Sequence, residues 1–583
     1  MAYTKLVLNL LALWTVLQCT AILISDKCDV DRLYKELQDP SKDRIDVECD
    51  ACVLIVCTIQ ALARENRTEE EIVTTATYLC EKLTERGKLV CSGIVPEFRN
   101  EVLYVFTSIA LGPKEVCGAL IGDGCGHYYN PWTQNWTVTF PDKPKPPVQP
   151  LPVPNPNGSI IRVLHLSDIH IDLQYTEGLR ADCGDPLCCR PPNHPAPPGR
   201  PAGHWGDFNC DLPLWTLTSL FEHLVKIKDQ FDWLYWTGDL PAHNVWNQTR
   251  SEQLEALNTV SRMMEFYLGD KKVYPTLGNH ESAPVNSFPP PFITGENSNQ
   301  WLLNAYQTNF SHWLPSDTAS TIKKGGFYST KLVPGLKLIS LNMNYCNTEN
   351  WWLLINSTDP AGQLQWLINE LQESEDDGEK VHIIGHIGPG SKDCMQVWSS
   401  NYYHIVNRYE ATIVGQFFGH SHYDEFELFY DLNNASRAIS IAYLGPSVTP
   451  YTSNNPGYRI YELEGRQENS GFQMIDHHVY YLDLNAANNN NNLTWQYEYG
   501  AKEAYGLKTL HPQDWSSFVD KMETNDTLFN LFYKYLHRRE TSTCTGSCKT
   551  IMLCLLRSGR SNETSHCANA TAAHRYYFNN KSC

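Results

Sequence analysis

The chain has 583 residues, a length that holds two to four domains at about 150 residues each, and 42% of them are apolar, which excludes global disorder. Its 46 basic and 65 acidic residues leave a net charge of −19. That balance argues against a nucleic-acid partner, because neutralising phosphates needs clustered Lys and Arg.

Lys5 precedes an apolar run, Leu6 to Leu17, broken only by Asn9 and Thr15, and Thr20 and Ala21 follow. About a dozen apolar positions suit a signal-peptide core and are too few for a membrane span, which needs roughly 20. Residues 1–21 are therefore expected to be a signal peptide, followed by an N-terminal segment at 22–45, and no later stretch is long and apolar enough to cross a bilayer. Twenty cysteines fit an oxidising compartment. Twelve Asn-X-Ser/Thr sequons, at Asn66, Asn135, Asn157, Asn247, Asn309, Asn356, Asn434, Asn492, Asn525, Asn562, Asn569 and Asn580, predict a heavily glycosylated surface. The expected destination is the lysosome or the outside of the cell.

Residues 46–130 form the first unit. Cys49, Cys52, Cys80, Cys91, Cys117 and Cys125 stand among segments of helical period such as Val102-Leu-Tyr-Val-Phe. Six cysteines allow fifteen pairings, and spacing alone does not choose among them. Zinc is disfavoured, since there is no second close Cys-X-X-Cys. The pattern resembles a saposin-type domain, a lipid-handling helical module. That resemblance implies the pairs Cys49–Cys125, Cys52–Cys117 and Cys80–Cys91, with Cys57 extra; Val53 to Val56 read as ordinary core.

Residues 131–158 read as a linker. Seven prolines between Pro144 and Pro156 favour an extended polyproline strut. From Ile160 short β-rich runs alternate with helical ones. Strands are predicted at Ile160–Leu166, Phe231–Trp236, Lys272–Leu277, Leu336–Leu341, Val381–Ile384, Ala411–Phe418 and Ile439–Leu444. Helices are predicted at Leu214–Lys228, Glu252–Tyr267 and Gly362–Leu371, which makes an α/β domain over 159–465. Beyond 465 the pattern is less regular. Asn488 to Asn492 reads as a solvated loop tip, and the segment from about Asp514 as a helical, disulfide-tied cap closing the region 466–583.

Polar residues cluster where the predicted strands end: Ser167-Asp168-Ile169-His170, Gly238-Asp239, Gly278-Asn279-His280-Glu281, Gly385-His386 and Gly419-His420-Ser421-His422. A single strand-end histidine is more commonly structural; the ordered set is not. Carboxylate and amide oxygens with imidazole nitrogens suit two divalent metals. Two metals roughly 3.5–4 Å apart can activate water and clamp a phosphoryl oxygen for in-line displacement. His280, beside Asn279, suits a general acid for a leaving alkoxide, with His243 helping to place that oxygen and Glu281 orienting His280.

The set resembles the calcineurin-like metallophosphoesterase superfamily. That likeness implies a mixed α+β, α/β class: a two-sheet metallophosphoesterase sandwich flanked by helices, here with an N-terminal all-α saposin-type domain and a helical disulfide-rich C-terminal cap. Carried over, Asp168, His170 and His422 would hold one metal and Asn279, His386 and His420 the other, with Asp239 bridging. Ala242 stands where purple acid phosphatases carry a metal-binding tyrosine, so two zinc ions are preferred to an iron centre.

The domain combination, with Gly238-Asp-Leu-Pro-Ala-His-Asn-Val-Trp and Asn455-Pro-Gly-Tyr-Arg, resembles the acid sphingomyelinase family. The resemblance implies hydrolysis of sphingomyelin to ceramide and phosphocholine, with lipid presented by the saposin-type module. It implies the pairs Cys183–Cys188, Cys189–Cys210, Cys346–Cys394, Cys544–Cys548 and Cys554–Cys567, leaving Cys28, Cys57 and Cys583 unassigned. It offers Tyr451 and Asn286 as contacts for the choline head group. The expected partners are sphingomyelin and membrane surfaces met at acid pH, the expected state a monomer. The alternative is the same machinery acting on nucleotides or other phosphodiesters, as in the acid sphingomyelinase-like phosphodiesterases; a lipid carrier with an inactive scaffold is the reading from another class.

Overall fold

The computed structural model describes residues 44–64, 68–83, 87–109, 111–121, 125, 135–154, 158–191, 199–466, 470–490, 493–540, 543–563 and 565–566. The expected signal peptide, the sequons at Asn66, Asn157, Asn492, Asn569 and Asn580, and Cys28, Cys567 and Cys583 lie outside them. The chain divides into two units, Met1–Pro131 and Trp132–Cys583.

The described part of the first unit is helical: α1 (Arg44–Arg64), α2 (Glu69–Leu83), α3 (Gly87–Ser108) and α4 (Pro113–Ile121). Disulfides join Cys49 to Cys125, Cys52 to Cys117 and Cys80 to Cys91, as the resemblance implied. The first two draw α1 onto the end of the unit, and the third ties α2 to α3. Val53, Leu54 and Val56 are buried, so this stripe is core. Cys57 is also disulfide-bonded, to a partner outside the described residues.

In the second unit, fourteen strands among the described residues run in chain order as β1 (Ile160–Leu166), β2 (Ile171–Asp172), β3 (Leu212–Pro213), β4 (Trp233–Trp236), β5 (Lys272–Pro275), β6 (Tyr328–Val333), β7 (Leu336–Ser340), β8 (Lys380–Ile384), β9 (Ile413–Phe418), β10 (Glu425–Asp431), β11 (Asn434–Leu444), β12 (Gly457–Glu464), β13 (Met474–Leu482) and β14 (Trp495–Gly500). They build two six-stranded sheets, ordered β14-β13-β12-β1-β4-β5 and β10-β11-β9-β8-β7-β6, while β2 and β3 pair separately. The strands β1, β4 and β5 are parallel, as are β7, β8, β9 and β11. Parallel strands covered on both faces read as nearly continuous apolar runs, and all four residues of β4, Trp-Leu-Tyr-Trp, are buried.

The core fills the space between the sheets, with Leu164, Leu166, Trp236, Ile384, Phe417 and Tyr461 inside it. Some polar side chains there are paired: Tyr235 Oη bonds His382 Nδ1 at 2.7 Å, and Tyr328 Oη donates to the Pro275 carbonyl at 2.9 Å. Helices cover the outer faces. The helix Arg250–Leu268 begins at a capping box, in which Thr249 and Glu252 satisfy one another's backbone N–H groups, and it buries a stripe of Leu257, Val260, Met264 and Leu268.

Beyond residue 465 the expectation of irregular structure is wrong: β13 and β14 continue the first sheet past that expected boundary. Their alternating exposure, with polar Asp476 and His478 on the open face, masked the strand signal. Asn488 is not at a loop tip. It lies in a helix, Leu484–Asn490, accepts from Trp205 N at 2.8 Å and donates to the Gly206 carbonyl at 3.0 Å. The proline-rich linker has no regular helix or strand over residues 135–154, yet it is tied to the second unit through Lys143–Asp376 (2.6 Å) and Lys145–Glu410 (3.2 Å). The end of the chain is helical as expected (Pro512–Thr524, Asp526–Leu536, Ser547–Leu556) and Cys544 bonds Cys548. Asn135, Asn247, Asn356, Asn434 and Asn525 are exposed, with Asn309 and Asn562 half-buried.

Candidate metal centre

The donors gather at one edge of the sandwich because β1, β4, β5, β8 and β9 all end there. Each strand stops at a sharp turn. Asp168, Asp239, His170, His420 and His422 all have φ between 39° and 72°, the left-handed region that L-residues rarely adopt. Glycine precedes several donors for steric reasons. A Cβ at Gly278 would run into Asp239, and one at Gly419 into Ser167 and the Asp168 carboxylate.

Asp239 is the hub. Its Oδ2 lies 3.4 Å from His170 Nε2 and 3.0 Å from His386 Nε2, while its Oδ1 accepts the His280 backbone N–H at 2.9 Å. His422 Nε2 is 3.5 Å from Asp168 Oδ1 and 3.2 Å from His170 Nε2. Asn279 Oδ1 is 3.0 Å from His386 Nε2 and 3.1 Å from His420 Nδ1. The seven sequence-predicted donors thus come together as two groups, Asp168-His170-His422 and Asn279-His386-His420, with Asp239 reaching both through His170 and His386.

This donor set fits divalent metals, and its tautomers say so. His170, His386 and His422 donate Nδ1–H to the backbone carbonyls of Pro241 (2.8 Å), Thr237 (2.6 Å) and Tyr451 (2.5 Å). Their Nε2 atoms therefore face inward, and those of His170 and His422 lie 3.2 Å apart, a spacing at which one cation could take both. Electrostatics agree. Burial alone would lower His170 and His386, but the Asp239 carboxylate outweighs it and lifts both to about 9. Burial would raise Asp239, yet His386, His280 and His170 hold it well below the usual carboxylate range. The centre gathers imidazoles around the Asp239 carboxylate.

Around the donors stand the other expected residues. His280 is buried, and its Nδ1 has no hydrogen-bond partner among the described residues. Burial pushes its imidazole, and that of His243, well below 6.5, so both are neutral. His243 stacks on His170 (ring centroids 3.9 Å apart) and its Nδ1 is 2.9 Å from Asp211 Oδ1. Tyr451 tilts against the His243 ring at 4.4 Å. Asn286, expected at the head group, accepts from Asn279 Nδ2 (2.9 Å) and Asn347 Nδ2 (3.0 Å) through its carboxamide oxygen. Glu281 does not orient His280: its carboxyl accepts the Leu240 N–H at 3.1 Å and so supports the turn that carries Asp239.

Sequence reasoning missed Asp211, Asp393 and Asn347. Asp393 Oδ2 is 3.0 Å from His420 Nε2, which leaves Nδ1 of that ring for the cluster. All three sit in irregular, cysteine-flanked segments; adjacency to Cys210, Cys394 and Cys346 was the one visible signal. The implied pairs Cys183–Cys188, Cys189–Cys210 and Cys346–Cys394 are present, and Cys554 is bonded to a cysteine outside the described residues.

Comparison with known proteins agrees with this geometry. Residues 161–424 match the family model of calcineurin-like phosphoesterases, and residues 437–574 that of the acid sphingomyelin phosphodiesterase C-terminal region. The chain is 45% identical to the sphingomyelin phosphodiesterases of Homo sapiens and Bos taurus over 526 residues, which is 89% of this chain and 82% and 83% of theirs. A Mus musculus cyclic GMP-AMP phosphodiesterase is 29% identical over 67% of this chain and 88% of its own. The chain is a phosphodiesterase and belongs to the acid sphingomyelinase family of calcineurin-like phosphoesterases.

Proposed function

We propose that the chain hydrolyses sphingomyelin to ceramide and phosphocholine at a di-zinc centre, with the N-terminal helical unit acting as a saposin-type module that presents the lipid. The observation that carries this is the convergence of seven oxygen and nitrogen donors into two groups sharing Asp239. The sphingomyelin phosphodiesterases at 45% identity supply the substrate class.

Asp168, His170 and His422 would hold one zinc, Asn279, His386 and His420 the other, and Asp239 both. When bound, the metals would lower the pKa of a water for attack on phosphorus and neutralise phosphoryl charge. The rest falls to the protein. His280, neutral in its buried setting, takes a proton when the anionic phosphodiester lies beside it. It then gives that proton to the ceramide oxygen as the P–O bond breaks, sparing a high-pKa alkoxide from leaving unprotonated. His243, with its Nδ1 against Asp211, places the leaving oxygen. The Tyr451 ring forms a wall for the trimethylammonium group. Asn286 serves by turning Asn279 rather than by touching substrate. The working state is a monomer in the lysosome or outside the cell, with acid favouring approach of this acidic chain to membranes.

The test is product analysis on sphingomyelin vesicles at acidic pH, with and without a zinc chelator. Phosphocholine and ceramide from the unchelated sample alone are expected. No phosphocholine, from protein that still cleaves a cyclic dinucleotide, would overturn the sphingomyelin assignment and favour the activity named for the mouse relative.

A further inference from the structure

The two donor groups are oriented by different means. In the first, His170 and His422 are turned by the backbone carbonyls of Pro241 and Tyr451. In the second, the orientation of two donors depends on side chains. Asn279 can offer either end of its carboxamide. Its Nδ2 donates to Asn286 Oδ1, which sends Oδ1 toward His386 and His420; Asn347 Nδ2 holds the same Asn286 oxygen at 3.0 Å. His420 faces the cluster through Nδ1, the reverse of the other three histidines, because Asp393 takes its Nε2–H at 3.0 Å.

Asn347 and Asp393 are distant in sequence but flank the two halves of one disulfide, Cys346–Cys394. Around it Asn347 and Cys394 form an antiparallel bridge, Thr348 N donates to the Asp393 carbonyl at 2.8 Å, and Met395 N donates to the Cys346 carbonyl at 2.7 Å. Both half-cystines are buried, at 0% and 1% exposure, so this is a permanent fastening and not a redox sensor.

We infer that the Cys346–Cys394 disulfide, with Asn347 and Asp393 beside it, is a clip that sets the orientation of Asn279 and His420 and thereby the affinity of one metal of the pair. The inference rests on the proposed two-metal reading. Asn347 and Asp393 are positioning residues, and their effect is on metal affinity before it is on turnover.

The experiment is stepwise removal of zinc from the full-length protein by a competing chelator, with thermal unfolding measured in parallel. Asp393→Ala is expected to weaken one of two zinc ions about 10–100-fold and leave the other within about twofold, and Asn347→Ala to act in the same direction. Asp393→Asn, which keeps an acceptor for His420, should recover part of the loss, a rescue that mere loosening would not show. The double variant Cys346→Ser/Cys394→Ser should resemble Asp393→Ala, whereas Cys544→Ser/Cys548→Ser should keep both ions. If the clip variant fails to fold, Asp393→Ala and Asn347→Ala decide with the disulfide intact. Unchanged release of both ions from those two variants would overturn the inference, and so would equal weakening of both. A wild-type protein that binds fewer than two zinc ions would instead refute the two-metal reading.

Discussion

Glu427 makes stability fall as pH rises. It lies on β10 with 8% of its surface exposed, and one carboxyl oxygen accepts the Gly390 N–H at 2.8 Å. Burial pushes its carboxyl up to about 8 against the Gly390 hydrogen bond, with the neighbouring Glu425 adding to the rise. The folded value exceeds the ordinary 4.5, so the folded state binds the proton more tightly. The stabilisation is complete below about pH 4.5 and lost as pH climbs through 8. Between pH 5 and pH 8 that loss is about 3 kcal/mol for this one group. Glu425, raised to about 7, and Glu498, raised to about 8, act with the same sign. Glu427→Gln keeps the shape and cannot ionise. Its unfolding free energy, from urea titrations of the full chain, should exceed that of wild type by about 3 kcal/mol more at pH 8 than at pH 5. Parallel pH profiles for the two proteins would refute the reasoning.

Asp211→Asn removes the carboxylate against His243 while keeping the shape, and kcat should fall about 10–100-fold with metal content unchanged; an unaltered kcat would remove His243 from leaving-group placement. Stripping divalent metal with a chelator should lower Tm at neutral pH, because a ligand held at 1,000 times its Kd stabilises by about 4 kcal/mol. A Tm indifferent to the chelator would mean that the cluster holds no resident metal.

The donor set was legible in the sequence because the fold writes it in one repeated form. An apolar strand ends, glycine allows close approach, and a ligand follows, at Gly238-Asp239, Gly278-Asn279, Gly385-His386 and Gly419-His420. The sandwich was legible as far as its strands are parallel and apolar throughout. It was lost at the antiparallel strands β6, β10 and β12, where no strand was expected, and again at β13, where Met474 to Leu482 largely alternate between the core and the open face. Residues that orient the donors were invisible for a different reason. Asp211, Asp393 and Asn347 belong to irregular segments with no period, and only tertiary structure brings them to the ligands. Glu281 shows the converse hazard: adjacency to His280 suggested a partner, whereas the turn aims its carboxyl at Leu240.

The left-handed turns at five of the seven donors show how the site keeps its shape. Such conformations cost on the order of 1–3 kcal/mol each in a non-glycine residue and persist only where the surroundings over-determine them. Here the turns hold one another. Asp168 N donates to the Gly238 carbonyl at 3.1 Å, His170 N to the Asp239 carbonyl at 3.1 Å, and Thr449 N to the Asp168 carbonyl at 3.0 Å; His420 N donates to the Asp168 carboxylate at 3.0 Å. None of these bonds involves a metal, and all are anchored to strands whose side chains fill the core. Hydrogen bonds within the protein therefore hold these turns. Amide hydrogen exchange on metal-stripped protein should leave the backbone N–H groups of Asp168, His170 and His420 as protected as those of β1, even while global Tm falls. Exchange at those three amides that rises with chelation, and returns to its former rate when divalent metal is restored, would mean that metal folds the turns and would refute this account.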